Sequence, residues 1–228
     1  MLITIITVKE RPRDSSPRAL LPLPLYKSFR IDVKANFDFI WFLASRLLIL
    51  VAFATLQKFA LFFLMDVVGI ASPAAATFNF LFVVGIGMLA ASYAAGRLSD
   101  RVGRRPIIIS AGLLGALGTA SLFSFHSYNG IIFAASVLGI ASGAFTSTNW
   151  ALATDLVAKG EEARYLGLTN LATAGGSALT LFIIGPMIDF FNARSPGLGY
   201  QAMFLVCFIF LIIGSLLVLK TKGHTHLR

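Results

Sequence analysis

The sequence predicts an all-α polytopic membrane protein with six transmembrane helices, and three observations predict it. First, the 228 residues are 57% hydrophobic and only 13% charged, whereas soluble domains are nearer half apolar and a quarter charged. The mean hydropathy is +0.83. Second, the apolar excess is gathered in runs of about twenty residues or more, long enough to cross the hydrocarbon layer as helices. Third, the basic residues flank those runs and favour one side of them.

Span 1 is predicted from about Phe37 to Met65 and contains three polar interruptions, Arg46, Gln57 and Lys58. Span 2 is predicted from about Ala74 to Gly96, where a basic segment begins. Span 3 covers about Pro106 to Phe125, with Pro106 placed where a first helical turn tolerates it. It carries Gly112, Gly115 and Gly118. Span 4 covers about Ile131 to Val157, with Gly139 and Gly143 four residues apart. Span 5 covers about Tyr165 to Ile188 and carries Gly167, Gly175, Gly176, Ser177 and Gly185. Span 6 covers about Gln201 to Leu219 and contains the single cysteine, Cys207. Small residues on membrane helices allow close backbone approach. The connections are short, so consecutive helices are expected to be antiparallel neighbours.

Lys and Arg then set the orientation. Sixteen of the 19 basic residues fall on one face: the N-terminal arm, the connections after spans 2 and 4, and the tail. Arg194 alone falls on the other, and Arg46 and Lys58 are inside span 1. This bias puts both termini in the cytoplasm. The net charge of +9 would point to nucleic acid in a soluble chain, but here it serves topology, and no nucleic-acid partner is expected. The domains are therefore a basic arm (1–36), a transmembrane domain (37–219) and a cytoplasmic tail (220–228). The arm is rich in Pro, Ser and basic residues and reads as a linker or a membrane-surface segment. Leu2 to Val8 is too short for a signal peptide and lacks its flanks. One cysteine excludes an intrachain disulfide. His224 and His226, without further ligands, do not make a metal site.

Gly96-Arg97-Leu98-Ser99-Asp100-Arg101-Val102-Gly103-Arg104-Arg105 is a short basic loop between spans 2 and 3. It resembles the loop signature of the major facilitator superfamily, approximately G-x-L-a-D-r-x-G-r-r/k. Gly96, Leu98, Asp100, Arg101, Gly103, Arg104 and Arg105 match it. The segment from Asp155 to Gly167 is similar to the family's equivalent turn after the fourth span. The resemblance covers about Ile40 to Leu219. It implies one six-helix half-bundle with a three-plus-three inverted repeat, and a lipid bilayer, a small solute and a coupling proton or cation as partners. It also implies a second six-helix half, either a separate chain or a second copy. Leu2 to Arg13 reads like the end of an earlier helix, and the arm like the linker between halves, so the chain corresponds to the C-terminal half. The membrane implied is a bacterial-type plasma (inner) membrane. Gly185-Pro186 is followed by Asp189-Phe190 rather than by a further glycine, which disfavours drug antiport and leaves a sugar-type symporter as the nearer comparison. Within the loop, Asp100 can accept from Arg101 or Arg104, and Asp155 is a second acid in reach. Such pairs would latch one closed state of a rocking transporter.

The resemblance implies that the first and fourth spans line the cavity. On span 4, Ser142, Thr146, Asn149 and Ala153 share one helix face, with Trp150 adjacent and able to stack on a sugar ring. On span 1, Arg46, Gln57 and Lys58 are the candidates, because ionisable groups in the membrane are costly and functional by default. Two cations favour an anionic or polyhydroxylated solute. Asp38, Asp66, Asp155 and Asp189 all fall near span edges, so a proton carrier is expected from a partner half. No P-loop, Gly-x-Ser-x-Gly elbow or paired-histidine helix is present, so neither an enzyme nor a cofactor is expected.

Overall fold

In hydrocarbon every backbone N–H and C=O must be satisfied inside its own segment, so apolar runs of this length form helices. A computed structural model describes residues 36–125, 127–157 and 160–221, all within the unit Ile31–Arg228. The arm before Asn36 and the histidines of the tail lie outside the described residues. The six spans are Phe37–Lys58, Pro73–Val102, Arg104–Ser124, Tyr128–Asp155, Glu162–Asn192 and Leu198–Lys220. No strand occurs among the described residues.

Three elements differ from the sequence expectation. Span 1 does not run on to Met65. It stops at Lys58, and a separate short helix, Ala60–Asp66, follows Phe59. Just before the break the Thr55 hydroxyl donates to the Val51 carbonyl at 2.7 Å, a back-bond that bends helices. Span 2 does not end at Gly96 but continues as regular helix to Val102. Most of the expected loop is therefore helical. Its charge does not oppose a helix once the chain has left the hydrocarbon. The helix ends only at Gly103, whose φ of 104° is one that residues with a side chain rarely adopt. Span 3 then starts at Arg104, with Pro106 in its first turn.

Span 5 is interrupted. Regular helix covers Glu162–Leu179, a π turn covers Thr180–Ile184, and helix resumes over Gly185–Asn192. The wide turn ends at Ile184, and Pro186 is two residues beyond it, in the helix that resumes at Gly185. Proline donates no N–H and its ring crowds the carbonyl four residues back, so a looser turn is the local solution.

Span 4 packs most extensively on spans 2 and 3, span 6 on spans 1 and 3, and span 5 on span 1. Exchange of spans 1, 2 and 3 for 4, 5 and 6 maps the 2–4 pair onto 5–1 and the 3–4 pair onto 6–1, while the 3–6 pair maps onto itself. The packing thus carries a three-plus-three repeat, with spans 3 and 6 at its centre and spans 2 and 5 at its margins. Only 17% of the apolar stretch of span 2 and 22% of that of span 5 is buried, against 56% for span 1. Phe78, Phe82 and Leu89 of span 2 and Leu171, Leu181 and Phe182 of span 5 are exposed, an outer surface suited to lipid or to other membrane helices.

Candidate functional site

Arg46 lies nine residues into span 1, about 14 Å along the helix axis, and is 2% exposed. A cation at such depth costs roughly 2.5–3.5 kcal/mol on insertion scales. Its neighbours come from two other spans. One guanidinium nitrogen donates to Asn149 Oδ1 of span 4. The other donates to Thr173 Oγ1 of span 5 at 3.0 Å. The Trp150 ring lies 4.4 Å from the guanidinium carbon, a cation–π stack. Thr173 passes its own proton to the Thr169 carbonyl at 3.0 Å, which leaves its oxygen free to accept from Arg46. No carboxylate pairs with Arg46 among the described residues.

The remaining cavity candidates sit elsewhere. Gln57 and Lys58 are exposed at the far end of span 1, about 18 Å from Arg46 along the axis. Lys58 Nζ donates to the Ser177 carbonyl of span 5 at 3.0 Å. Ser142 is buried and gives its proton to the Gly139 carbonyl of its own helix at 3.0 Å. Thr146 is half-buried. Trp150 stacks on Arg46 in this structure. Thr173 has no place in the sequence reading of span 5, where the glycines draw attention. Thr169, Thr173 and Thr180 are spaced by four and seven residues on one helix face, a pattern that does not distinguish Thr173 from threonines that bond their own helix.

The second site is the turn between spans 2 and 3. Arg104 donates to Asp100 and to Ser99 Oγ at 2.8 Å, both on the last turns of span 2. Its Nε reaches Asp155 Oδ2 at the end of span 4, 3.3 Å away. One arginine thus ties the ends of spans 2 and 4 to the start of span 3. The ion pairs are half-exposed: Arg104 is 25% exposed, Asp100 62% and Asp155 54%. Arg101 and Gly103 are exposed and Gly96 and Arg105 are half-buried. Beyond span 4, Arg164 pairs locally with Glu161 at 3.1 Å.

Solved structures share this architecture. A crystal structure of tetrameric PepTSo2 superposes with a TM-score of 0.67 at 15% identity, over 77% of this chain and 38% of that one. An auto-inhibited POT-family peptide transporter superposes with a TM-score of 0.65 at 16% identity, over 80% of this chain and 36% of that one. The chain therefore spans little more than a third of the length of either. A search of curated protein sequences finds no match. The sequence profile of the Major Facilitator Superfamily matches residues 47–227. With the basic turn between spans 2 and 3, six membrane-length helices and the repeat in their packing, this integral membrane chain belongs to the Major Facilitator Superfamily.

Proposed function

We propose that the chain forms one six-helix half of a secondary transporter that moves a small solute by alternating access, the solute being anionic or polyhydroxylated. The observation that carries this reading is Arg46. A buried guanidinium joins spans 1, 4 and 5 at mid-depth, where those spans come together and where spans 1 and 4 touch each other only sparingly. A second six-helix half, as a separate chain or a second copy, would close the site from the other side. Both termini face the cytoplasm of a bacterial-type plasma membrane, and the chain corresponds to the C-terminal half. A symporter fits best. The described acids sit at span edges, so the second half would supply the proton-carrying carboxylate.

In this reading the Arg104 cluster latches one state. Asp100 and Asp155 hold it through half-exposed contacts, which water can replace at modest cost when Arg104 leaves the end of span 4.

The experiment is uptake into proteoliposomes by the chain alone and by the chain with a candidate second half. Saturable uptake that Asp100→Asn abolishes, with insertion unchanged, supports a latched transporter. The competing reading is a membrane module that transports nothing. Correctly inserted protein with no uptake in either preparation would establish it.

A further inference from the structure

Every unsatisfied polar group in the Arg46–Asn149 pair is a donor. Arginine carries five N–H groups and no acceptor. Asn149 must present its oxygen to Arg46, because its NH2 could not accept, so the amide orientation is set by its partner. Asn149 Nδ2 and Arg46 Nε, both shielded from solvent, then have no acceptor among the described residues. Both side chains are nearly or wholly buried, Arg46 at 2% exposed and Asn149 at 0%. Among the described residues, two nitrogens of the pair therefore have no acceptor and the guanidinium has no counter-charge.

We infer that Arg46 Nε and Asn149 Nδ2 form the recognition point for the carboxylate of a monoanionic solute. A carboxylate has two acceptor oxygens and no donor, and so supplies what the pair lacks. Its single charge matches the single guanidinium. A phosphate dianion would leave a net negative charge beside the same buried pair. A neutral sugar could accept through its hydroxyl oxygens but would bring no negative charge to match the guanidinium. Trp150 covers a face of the guanidinium, which leaves the in-plane Nε–H for the oxyanion. The indole itself is half-buried and is the side chain beside which the rest of such a solute would lie. Thr173, bonded on both sides, is a positioning residue that holds the guanidinium in register.

The inference deepens the transport reading and rests on it for the route by which the solute arrives, but binding is measured without flux. The chain has two tryptophans, Trp41 near Lys220 and Trp150 on Arg46. In the full chain carrying Trp41→Phe, Trp150 is the sole reporter at the site. Acetate and butyrate, titrated at constant ionic strength, are expected to change its emission saturably. Sodium chloride and methyl acetate are expected not to.

Asn149→Asp places a carboxylate against Arg46 from within. This variant should melt at or above the parent temperature and weaken the acetate and butyrate response by about tenfold or more. Arg46→Gln should abolish the response if the variant folds. The absence of a saturable response to both carboxylates, or an equal response in Asn149→Asp, would overturn the inference. Uptake of a solute without this response would leave transport standing and remove the carboxylate, whereas the response without uptake would do the reverse.

Discussion

Spans 2 and 4 meet mainly through glycine and bare backbone, with a Ser92–Gly143 hydrogen bond of 3.2 Å and an Asn79–Tyr128 bond of 2.9 Å beside them, whereas spans 5 and 1, in the equivalent places of the repeat, meet through hydroxyls, a guanidinium and an ammonium. In the 2–4 seam a Cβ on Gly143 would lie 2.2 Å from the Met88 carbonyl oxygen, and one on Gly139 2.5 Å from that of Val84. In the 5–1 seam a Cβ on Gly176 would meet only side-chain atoms, at 3.5 Å or more, and one on Gly175 would meet nothing within 4 Å. In place of close backbone contact, that looser seam is held by hydrogen bonds: Arg46 to Thr173, Lys58 to the Ser177 carbonyl and Thr180 to the Val51 carbonyl at 3.4 Å. Both helices of the 5–1 pair also lose regularity at one level. The span 1 break at Phe59 lies beside Gly185, just past the π turn. The difference teaches where motion is cheap. Backbone packed on backbone has one register. A hydroxyl such as Thr180, which also reaches the Gly176 carbonyl of its own helix, can exchange one acceptor for another; Ser92 of span 2 does the same between the Met88 and Gly143 carbonyls, but beside backbone already in contact. We therefore expect the 2–4 arm to move as a block and the 5–1 arm to flex.

The most direct way to break this comparison is Gly143→Leu. The new side chain would press on backbone rather than on a movable side chain. The expected cost is about 3 kcal/mol or more, roughly a 6–12 °C fall in the melting temperature of the purified protein. A variant that melts with the parent would mean that the 2–4 seam is not rigid.

The next effect sharpens the other arm. Asn149→Leu removes an acceptor from the buried Arg46, at an expected cost of about 1.5–3 kcal/mol. Arg46→Met alone strands Asn149, and the double variant removes both problems together. The two single losses are therefore expected to exceed the double loss by about 1–3 kcal/mol in a thermal or denaturant cycle. Additive losses would mean that Arg46 and Asn149 do not depend on each other.

The two arms also differ in how far the sequence exposes them. Hydropathy and small-residue spacing are local properties, so the six spans and the Gly139–Gly143 spacing can be read directly. Arg46, Asn149 and Trp150 are legible because charge, amide and indole are rare at mid-span. Their partner Thr173 is not, because a threonine at helical spacing looks the same whether it meets an arginine or its own helix. Ser142 shows the converse: its spacing puts it on the polar stripe, yet its hydroxyl is spent on Gly139. The break at Phe59 accompanies tertiary contact between Thr55 and Thr180, 3.5 Å apart, and no window of span 1 contains that information. The turn between spans 2 and 3 is identifiable from its charges, but its helical course to Val102 is not. Charge reports the side of the membrane rather than the backbone conformation.

A smaller effect of opposite sign separates the seams again. Gly175→Ala fills open space in a helix interior, so it is expected to stabilise by about 0.5–1 kcal/mol through reduced chain entropy. Gly139→Ala, the same chemical change in the 2–4 seam, is expected to destabilise. Equal and favourable effects at both positions would erase the distinction between the arms.

The smallest stability effect is expected at Asp155→Asn, and it discriminates between two roles for Arg104. As a latch, the Arg104–Asp155 contact of 3.3 Å is half-exposed and screened by salt, so its loss is expected to cost less than about 1 kcal/mol. Uptake should nevertheless change, because the closed state at that end of the bundle loses one of its ties while the open state loses nothing. As a purely structural anchor, Arg104 would show the reverse pattern: a larger fall in melting temperature with uptake unchanged in the protein that remains folded. Asp100→Asn provides the internal comparison. Asp100 holds Arg104 from within the same turn, four residues away, whereas Asp155 reaches it from span 4. If the tie between spans is what matters, Asp155→Asn should alter the salt dependence of uptake while Asp100→Asn loosens Arg104 itself, and Arg104→Gln should reproduce both defects together.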